Sequence, residues 1–395
     1  MSVARRNIMT LGIVTLSVVA MGAHQASAAD PKLEQTALSL APEDSAFFAT
    51  SLNMRQSYEE FMESRFVQRL KAVPFVRRLE SELVDQWDNP SEELKQAKFF
   101  LDSPAAQNLV KLVIDMSSTE FFFYGENDWC EAIEGIMRVQ NDLSGLANQG
   151  EEAIRQYILD LQPNDVAVMR VPTTVVGFKL SSDEIAREQL DTLEGIIRLG
   201  LSSNEELSPI ARQLKRADFK DGQSLSLTLN TDMIPRIDLD GDQAEMMDKI
   251  LELLEGRSLS IAVGVKANML LFTISEKADA LKQVGANETQ LLNHDAIAVL
   301  VEQAPEDLRS ISFNSERWRQ SSWDANLGRY FERLAAQFSA AMESEPENIP
   351  DMEQWQSEIM VDAKWLDAKI AEAKPDFGAT LSWSHAIDGG MEGFT

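Results

Sequence analysis

The residue pattern with the clearest potential for chemistry is an acidic run at 238–242, with the sequence DLDGD. Carboxylates at alternate positions supply oxygen ligands that suit Ca²⁺, so Asp238, Asp240 and Asp242 are candidate ligands for a divalent cation. An EF-hand loop needs Gly at its sixth position, where this chain has Gln243. We prefer a second interpretation, an acidic turn in which Asp242 caps a helix that begins near Gln243.

Few other residues offer catalytic or metal-binding chemistry. Beyond residue 28 the histidines are His294 and His385, and the single cysteine is Cys130, so a zinc site of the usual His/Cys type is excluded. The sequence contains no G-x-S-x-G elbow, no S-x-x-K signature and no Gly-rich phosphate loop. His385 lies on a predicted strand whose period of two directs Ser382 and Ser384 to the opposite face. We therefore predict no catalytic residue and no cofactor.

Carboxylates and aromatic residues leave further possibilities open. With 64 acidic residues, carboxylate pairs occur by chance throughout the chain, so a hydrolase that acts through them stays an alternative. Cys130 is interpreted as a small buried residue, with a reactive or intermolecularly bridged thiol as the alternative. We prefer a core role for the aromatic residues of the last third, which would otherwise form an exposed carbohydrate or peptide platform. These residues are Trp318, Trp323, Tyr330, Phe331, Trp355 and Trp365.

The charge of the chain restricts its partners. Thirty-six Lys and Arg residues stand against 64 Asp and Glu residues, which gives a net charge of −28. A basic footprint for nucleic acid is therefore absent, so we predict no nucleic-acid partner. The overall charge also repels anionic lipid and keeps the protein soluble, while it permits a basic partner or weak divalent-cation binding.

The N-terminal residues have the pattern of a secretory signal peptide at 1–28. Arg5 and Arg6 form a positive n-region, residues 8–22 form an uncharged apolar h-region, and Ala26 and Ala28 form an A-x-A cleavage site. An uncleaved anchor is the alternative, although the apolar run is shorter than the roughly 18–20 residues that span a bilayer. We predict a secreted or periplasmic protein without stable membrane insertion after signal removal. The general and the twin-arginine export routes both stay open.

The periodicities predict an α+β fold with mostly antiparallel sheets and long amphipathic helices. A turn at 266–268 joins two of the predicted strands as a hairpin. Helical periodicity predicts helices at 55–71, 92–113, 126–146, 183–199, 243–254, 316–342 and 352–373. Alternating apolar residues predict strands at 45–52, 119–124, 165–171, 174–180, 223–229, 258–265, 268–275, 296–302, 308–313 and 379–385.

A weak internal sequence repeat suggests that the chain is built from two or three related strand–helix–strand modules. The run PEDSAFF at 42–48 matches PNDVAVM at 163–169, and HDAIAV at 294–299 resembles both more loosely. In each run a polar turn leads into an apolar segment, and His294 is interpreted as a residue of such a turn. Coincidence is the alternative, because the shared pattern is short. The predicted organisation is a signal peptide at 1–28 and three modules at 29–150, 151–290 and 291–395.

Several short motifs carry a resemblance to a known family. The run LAPED at 40–44, the helix that contains YEEF at 58–61, EFFFYG at 120–125 and the terminal GMEGFT at 390–395 resemble motifs of an uncharacterised family of exported bacterial proteins. The family is classed as a domain of unknown function, and its opening strand carries Leu-Pro-x-Asp. This chain departs from the pattern because Ala41 separates Leu from Pro. The resemblance covers most of the chain after the signal peptide and leaves open whether the chain is a fragment. It implies no catalytic or ligand residue.

The leading functional hypothesis is an exported, non-catalytic protein that binds another macromolecule in the envelope or outside the cell. One alternative is a hydrolase of polysaccharide or peptide, which requires a cleft with convergent carboxylates and at least one raised pKa. The other alternative is an extracytoplasmic divalent-cation binder. A binding protein is expected to have a broad exposed apolar or aromatic patch instead of a cleft with convergent carboxylates. The sequence identifies neither the partner nor the oligomeric state.

Overall fold

The structure is a computed structural model of the chain. It describes residues 33–89, 91, 95, 104–146, 150–162, 170–202, 208–219, 222–233, 241–303, 307–327, 330–343, 352–387 and 390–395. The predicted signal peptide, with Ala26 and Ala28, lies outside the described residues, and so do Asp238 and Asp240.

Ten strands join into one sheet. In chain order they are β1 Phe47–Leu52, β2 Glu120–Gly125, β3 Thr174–Lys179, β4 Leu214–Phe219, β5 Gly222–Asn230, β6 Ser258–Lys266, β7 Met269–Ser275, β8 Leu308–Asn314, β9 Thr380–Ile387 and β10 Gly390–Phe394. Their order across the sheet is β10-β9-β8-β1-β2-β3-β7-β6-β5-β4. Every neighbouring pair is antiparallel, which confirms the predicted α+β class with antiparallel strands.

Most of the helices lie in the connections between strands. The longer ones are α1 Met54–Glu63, α2 Arg65–Lys71, α3 Pro74–Asp88, α4 Pro104–Met116, α5 Asp128–Leu146, α6 Glu151–Asp160, α7 Glu184–Ser202, α8 Asp242–Leu253, α9 Asp295–Gln303, α10 Glu316–Leu327, α11 Tyr330–Glu343 and α12 Met352–Glu372. Pro74 occupies the first turn of α3. Backbone N–H groups there make no hydrogen bond within the helix, so the lack of an N–H on proline costs none. Pro74 therefore separates α3 from α2.

The two faces of the sheet are covered to different extents. One face, here called the core face, carries Phe48, Phe122, Tyr124, Ile311 and Phe313, which are fully buried. These side chains pack in one cluster with apolar residues of the segments before β1 and β8, among them Ala37, Leu38, Leu281, Leu291, Ile297 and Leu300. Because residues two apart on a strand share a face, the neighbours of these residues point the other way, to a surface here called the open face.

The structure confirms the predicted hairpin of β6 and β7. Ala267 and Asn268 both have positive φ, +50° and +60°, and they connect the paired residues Lys266 and Met269. Two consecutive residues of this kind make the type of turn whose twist matches that of the flanking strands.

The predicted strands differ from the structure in three places: one assignment is wrong and two strands were not assigned. The predicted strand at 296–302 is wrong, because these residues form α9. Ile297 and Leu300, three residues apart, are buried while Val299 and Val301 are exposed, which is the helical pattern. Strands β4 and β10 were not predicted. The predicted strand at 165–171 falls largely outside the described residues.

Strands from all three predicted modules join the same sheet, so no break in hydrogen bonding separates them. The first strand of the 29–150 segment pairs with β8 of the 291–395 segment, and β2 pairs with β3 of the 151–290 segment. The descent of these segments from a common module stays a prediction.

Candidate functional site

The most distinctive surface of the described chain is a row of phenylalanine rings on the open face. Phe47 of β1, Phe121 and Phe123 of β2, Phe178 of β3 and Phe272 of β7 form this aromatic row. The strand register brings them together, since Phe121 is paired with Phe178 and Phe123 with Val176, which in turn pairs with Phe272. Alternation along each strand directs all five rings away from the core.

The rings of the aromatic row contact one another in sequence across four strands. The centroids of Phe47 and Phe123 lie 6.2 Å apart, those of Phe123 and Phe121 6.2 Å, those of Phe121 and Phe178 5.1 Å, and those of Phe178 and Phe272 6.2 Å. All four separations are in the range of favourable aromatic pairs. The row is therefore a continuous apolar surface.

The middle of this surface is exposed to water. Phe123 and Phe272 are each 38% exposed, and Ile261 of β6 and Ile274 of β7 are 44% and 46% exposed. Ile274 pairs directly with Ile261, so the row continues into a patch of branched aliphatic side chains. One wet face is usual for an antiparallel sheet, but that face is then normally polar.

Helices cover the open face at both sides of this exposed region. On one side Trp129 of α5 and Trp318 of α10 pack on Phe47, with ring centroids 5.5 Å and 5.0 Å away. On the other side Leu112 of α4 and Leu190 of α7 pack in a cluster that includes strand residues of β6 and β7. The helices therefore leave the centre of the face uncovered.

The two long helices that flank the exposed region are acidic. Helix α5 contains four carboxylates and one arginine, and α7 contains four carboxylates and two arginines. Both α7 arginines form ion pairs along the helix, Arg187 with Asp183 at 2.6 Å and Arg198 with Glu194 at 2.8 Å. Arg216 of β4 also pairs with Asp191 and Glu194 of α7, and Arg317 of α10 pairs with Glu131 of α5, so both helices keep a smaller net negative charge.

Two clefts are found on the described part of the chain. The larger, about 350 Å³, has no carboxylate among its described lining residues, which are Asn314, Trp318, Arg319, Ser322, Trp323, Leu327, Phe377 and Thr380. The smaller, about 190 Å³, contains Asp142 and Asp160, and the Tyr157 hydroxyl donates to Asp142 Oδ2 over 2.9 Å. Of these two clefts, only the smaller brings two carboxylates together, so the hydrolase alternative stays a prediction.

A buried carboxyl lies on the core face, away from both clefts. Glu120 is 1% exposed, and its Oε1 accepts hydrogen bonds from the Ala37 N–H and the Thr50 hydroxyl, both at 2.9 Å. Its Oε2 has no partner among the described residues. Burial raises the pKa of Glu120 above its ordinary value, while the two hydrogen bonds and Lys179 oppose the shift. Its position indicates a role in holding the segment before β1 on the sheet.

Glu120→Gln tests this assignment through the pH dependence of stability. Because the pKa of Glu120 is raised in the folded protein, the folded state binds this proton more tightly than the unfolded state. The Glu120 contribution to stability is therefore present below the unfolded pKa and is lost as the pH rises through the folded pKa. We expect Glu120→Gln, which cannot ionise, to become progressively more stable relative to the wild type as the pH rises from about 4.5.

Urea unfolding at several pH values between acid and neutral measures this difference. Glu34→Gln is the matched control, since Glu34 is exposed on the same N-terminal segment. A difference between Glu120→Gln and wild type that stays constant across the pH range would contradict the assignment.

The candidate cation site at 238–242 receives no support from the described residues, which include only Asp242 of its three candidate ligands. The helix starts at Asp242 itself, and its N-cap is Gly241 with φ +61°, so the prediction that Asp242 caps the helix is wrong. Glycine reaches this left-handed conformation without the cost of a side chain. No group of three His, Cys, Asp or Glu residues in the described part of the chain could hold a metal ion. Asp238 and Asp240 lie outside it.

The histidines and the cysteine have structural surroundings. His294 Nδ1 accepts from the Ala296 N–H over 3.1 Å at the start of α9, so His294 is a turn residue before a helix and not before a strand. His385 stacks on Phe394 with centroids 5.7 Å apart, and Ser384 instead contacts Ser310, as the strand period predicts. Cys130 is buried, and burial raises the pKa of its thiol, as expected for a small core residue.

The aromatic residues of the last third divide into two groups. Trp318, Trp323 and Phe331 are half-buried, and the two tryptophans line the larger cleft. Tyr330, Trp355 and Trp365 are exposed, so the preferred core role is wrong for these three. Helices α11 and α12 pack on each other, which leaves the outer side chains of each in water.

Sequence reasoning missed the aromatic row, although it predicted the strands that carry it. The available signal was the run Phe121-Phe122-Phe123, because three successive aromatic residues on a strand must place rings on both faces. Which face would be covered depends on the helices, and their packing is not readable from the strand pattern.

A comparison of the chain with protein-family models, curated proteins and solved structures finds no match. The resemblance to the family of exported proteins therefore stays a prediction. Within the described residues, no helix combines the length and the apolar character that crossing a bilayer requires.

Proposed function

We propose that this chain is an exported, non-catalytic protein that binds another macromolecule through the aromatic row of its open face. The N-terminal pattern of the sequence supports export. The exposed centre of the aromatic row supports binding, and this observation carries the proposal.

The size of the exposed surface supports a binding role. A large apolar side chain has on the order of 200 Å² of surface. Exposures of 38–46% for Phe123, Phe272, Ile261 and Ile274 then correspond to on the order of 300 Å² of contiguous apolar surface. Patches of this size on soluble proteins are often functional. Because the rings are held by a sheet, a partner would lose little free energy in ordering them.

The charge around the surface indicates the chemistry of the partner. Helices α5 and α7 lie on the two sides of the apolar centre, and each keeps a net negative charge after its ion pairs with Arg317 and Arg216. A complementary partner presents apolar side chains between basic residues. We infer that the occupant is a cationic amphipathic segment of another protein, laid with its apolar side on Phe123 and Phe272.

Binding of two designed amphipathic peptides tests the proposal. Both have leucine on the apolar side, and one has lysine and the other glutamate on the polar side. Fluorescence anisotropy of the labelled peptides should show binding of the lysine peptide about tenfold tighter or more than binding of the glutamate peptide. The double variant Phe123→Ser/Phe272→Ser should weaken binding of the lysine peptide by a similar factor.

Phe338→Ser is the matched control, because Phe338 is 54% exposed on α11, away from the sheet. It should leave peptide binding unchanged. Equal affinity for the two peptides, or unchanged binding by the double variant, would reject the proposed partner chemistry.

A further inference from the structure

A second surface has the opposite charge to the rest of the molecule. Residues 65–79, which comprise α2 and the start of α3, contain five basic residues and no acidic residue, while the remainder of α3 carries Glu80, Glu82, Asp85 and Asp88. The chain as a whole carries −28. The basic residues of this segment, here called the basic arm, are Arg65, Arg69, Lys71, Arg77 and Arg78. None of the five forms an ion pair with the part of the chain that the structure describes.

The basic arm also exposes large apolar side chains. Phe66 and Phe75 are 64% and 65% exposed, and Leu70 and Leu79 are 44% and 42% exposed. Phe66 and Leu70 of α2 are four residues apart, and so are Phe75 and Leu79 of α3. This spacing places the two side chains of each pair on one side of their helix. Val67 is buried and anchors the arm. The arm therefore presents rings and guanidinium groups together to water.

We propose that the basic arm docks on an anionic phospholipid surface. An amphipathic helix with phenylalanine and leucine on one side and arginine or lysine beside them lies in the plane of a bilayer interface. The rings of Phe66 and Phe75 would enter the boundary between head groups and acyl chains. The basic side chains would contact lipid phosphates while their aliphatic stems cover apolar surface.

The negative charge of the rest of the protein does not prevent this docking. Charges are screened beyond about 10 Å at 0.1 M salt, so the local charge of the arm determines its interaction with a surface that it touches. A second copy of the chain is the less favoured occupant. In a symmetric dimer the five basic residues of one arm would face the same five of the other, whereas an anionic bilayer is complementary in charge and accepts the apolar side chains without a match of shape.

Co-sedimentation with vesicles tests the proposal. The chain from residue 29 onward is measured beside the full chain, because the apolar segment at 8–22 would bind lipid by itself. We expect the form from residue 29 to bind vesicles that contain phosphatidylglycerol, to bind pure phosphatidylcholine vesicles at least about tenfold more weakly, and to dissociate as salt is raised. Phe66→Ser/Phe75→Ser and Arg69→Glu/Arg77→Glu should each reduce binding about tenfold or more.

Three controls separate the basic arm from other effects. All four substituted side chains are exposed, so the variants should keep the wild-type thermal midpoint. Phe338→Ser should bind vesicles as the wild type does. Phe123→Ser/Phe272→Ser should also do so, which makes this test independent of the proposed function of the aromatic row.

Two results would overturn the proposal. One is the absence of binding to phosphatidylglycerol vesicles by the form from residue 29, or binding that the arm variants leave unchanged. The other is a concentration-dependent dimer that the arm variants dissociate, without lipid binding, since the occupant would then be a second copy.

Discussion

Phe122→Ala is expected to destabilise the protein by about 3–5 kcal/mol, whereas Phe123→Ala, one residue along the same strand, should cost only about 1 kcal/mol. Phe122 is fully buried on the core face, and its removal leaves a cavity among tightly packed neighbours. Phe123 is 38% exposed on the open face, so its removal leaves a surface depression that water fills.

Urea unfolding of the two variants measures this contrast. Equal slopes of the unfolding free energy against urea concentration would show that both variants unfold between the same two states. Similar costs for the two substitutions would show that the open face is covered in solution. The experiment therefore also tests the premise of the proposed function, which requires Phe123 to be accessible.

Gly177→Ala is expected to destabilise the protein by about 1–3 kcal/mol through overpacking. A Cβ at this position would lie 2.2 Å from the Cε1 and Cζ atoms of Phe122 and 3.0 Å from Leu271 Cδ2. Gly177 is paired with Phe122 in the sheet, and the aromatic ring occupies the space above the glycine. Both neighbours are fully buried, so neither can move aside without disturbing the core.

A double-mutant cycle tests the cause of this loss. Phe122→Leu removes the ring that meets the new methyl group, so Gly177→Ala should cost less in the Phe122→Leu background, with a coupling energy of about 0.5–3 kcal/mol. Gly195→Ala on α7 is the control, because open space surrounds Gly195 and alanine favours the helix by up to about 1 kcal/mol. Additive costs in the cycle would rule out the ring contact as the cause.

The sequence predicted the local structure correctly where apolar and polar residues alternate regularly along a strand. The leucines at 225, 227 and 229 alternate with small hydroxyl residues and lie in β5, and the turn at 266–268 closes the β6–β7 hairpin as expected. Strand β10, Gly390–Phe394, was missed because two of its five residues are glycines and all five are exposed. Its strand form comes from pairing with β9.

The error at 296–302 has a related cause. The run AIAVLVE contains six apolar residues, and such a short run fits either a buried strand or a helix. The choice was made by the surroundings, where Ile297 and Leu300 both reach the core cluster from α9. Local pattern could not distinguish the two, since only the packed neighbours define which side is buried.

The candidate site depended even more on tertiary structure. Each phenylalanine of the aromatic row lies on a strand that the sequence predicted, but the residues come from positions as far apart as Phe47 and Phe272. Pairing of β3 with β7 across some ninety residues of chain brings Phe178 and Phe272 together. No short-range signal in the sequence encodes that pairing.

By itself, the sequence determined the α+β class, the net charge, the places of most strands and the hairpin turn, because these depend on composition and on interactions between residues close in the chain. Only the tertiary structure decided the strand order, the uncovered face of the sheet and the exposure of the basic arm. A period of two shows that the faces of a strand differ, but coverage of a face requires helices that are distant in sequence to pack there. On this sheet they pack at the two sides of the open face and leave Phe123 and Phe272 at the centre of the aromatic row accessible.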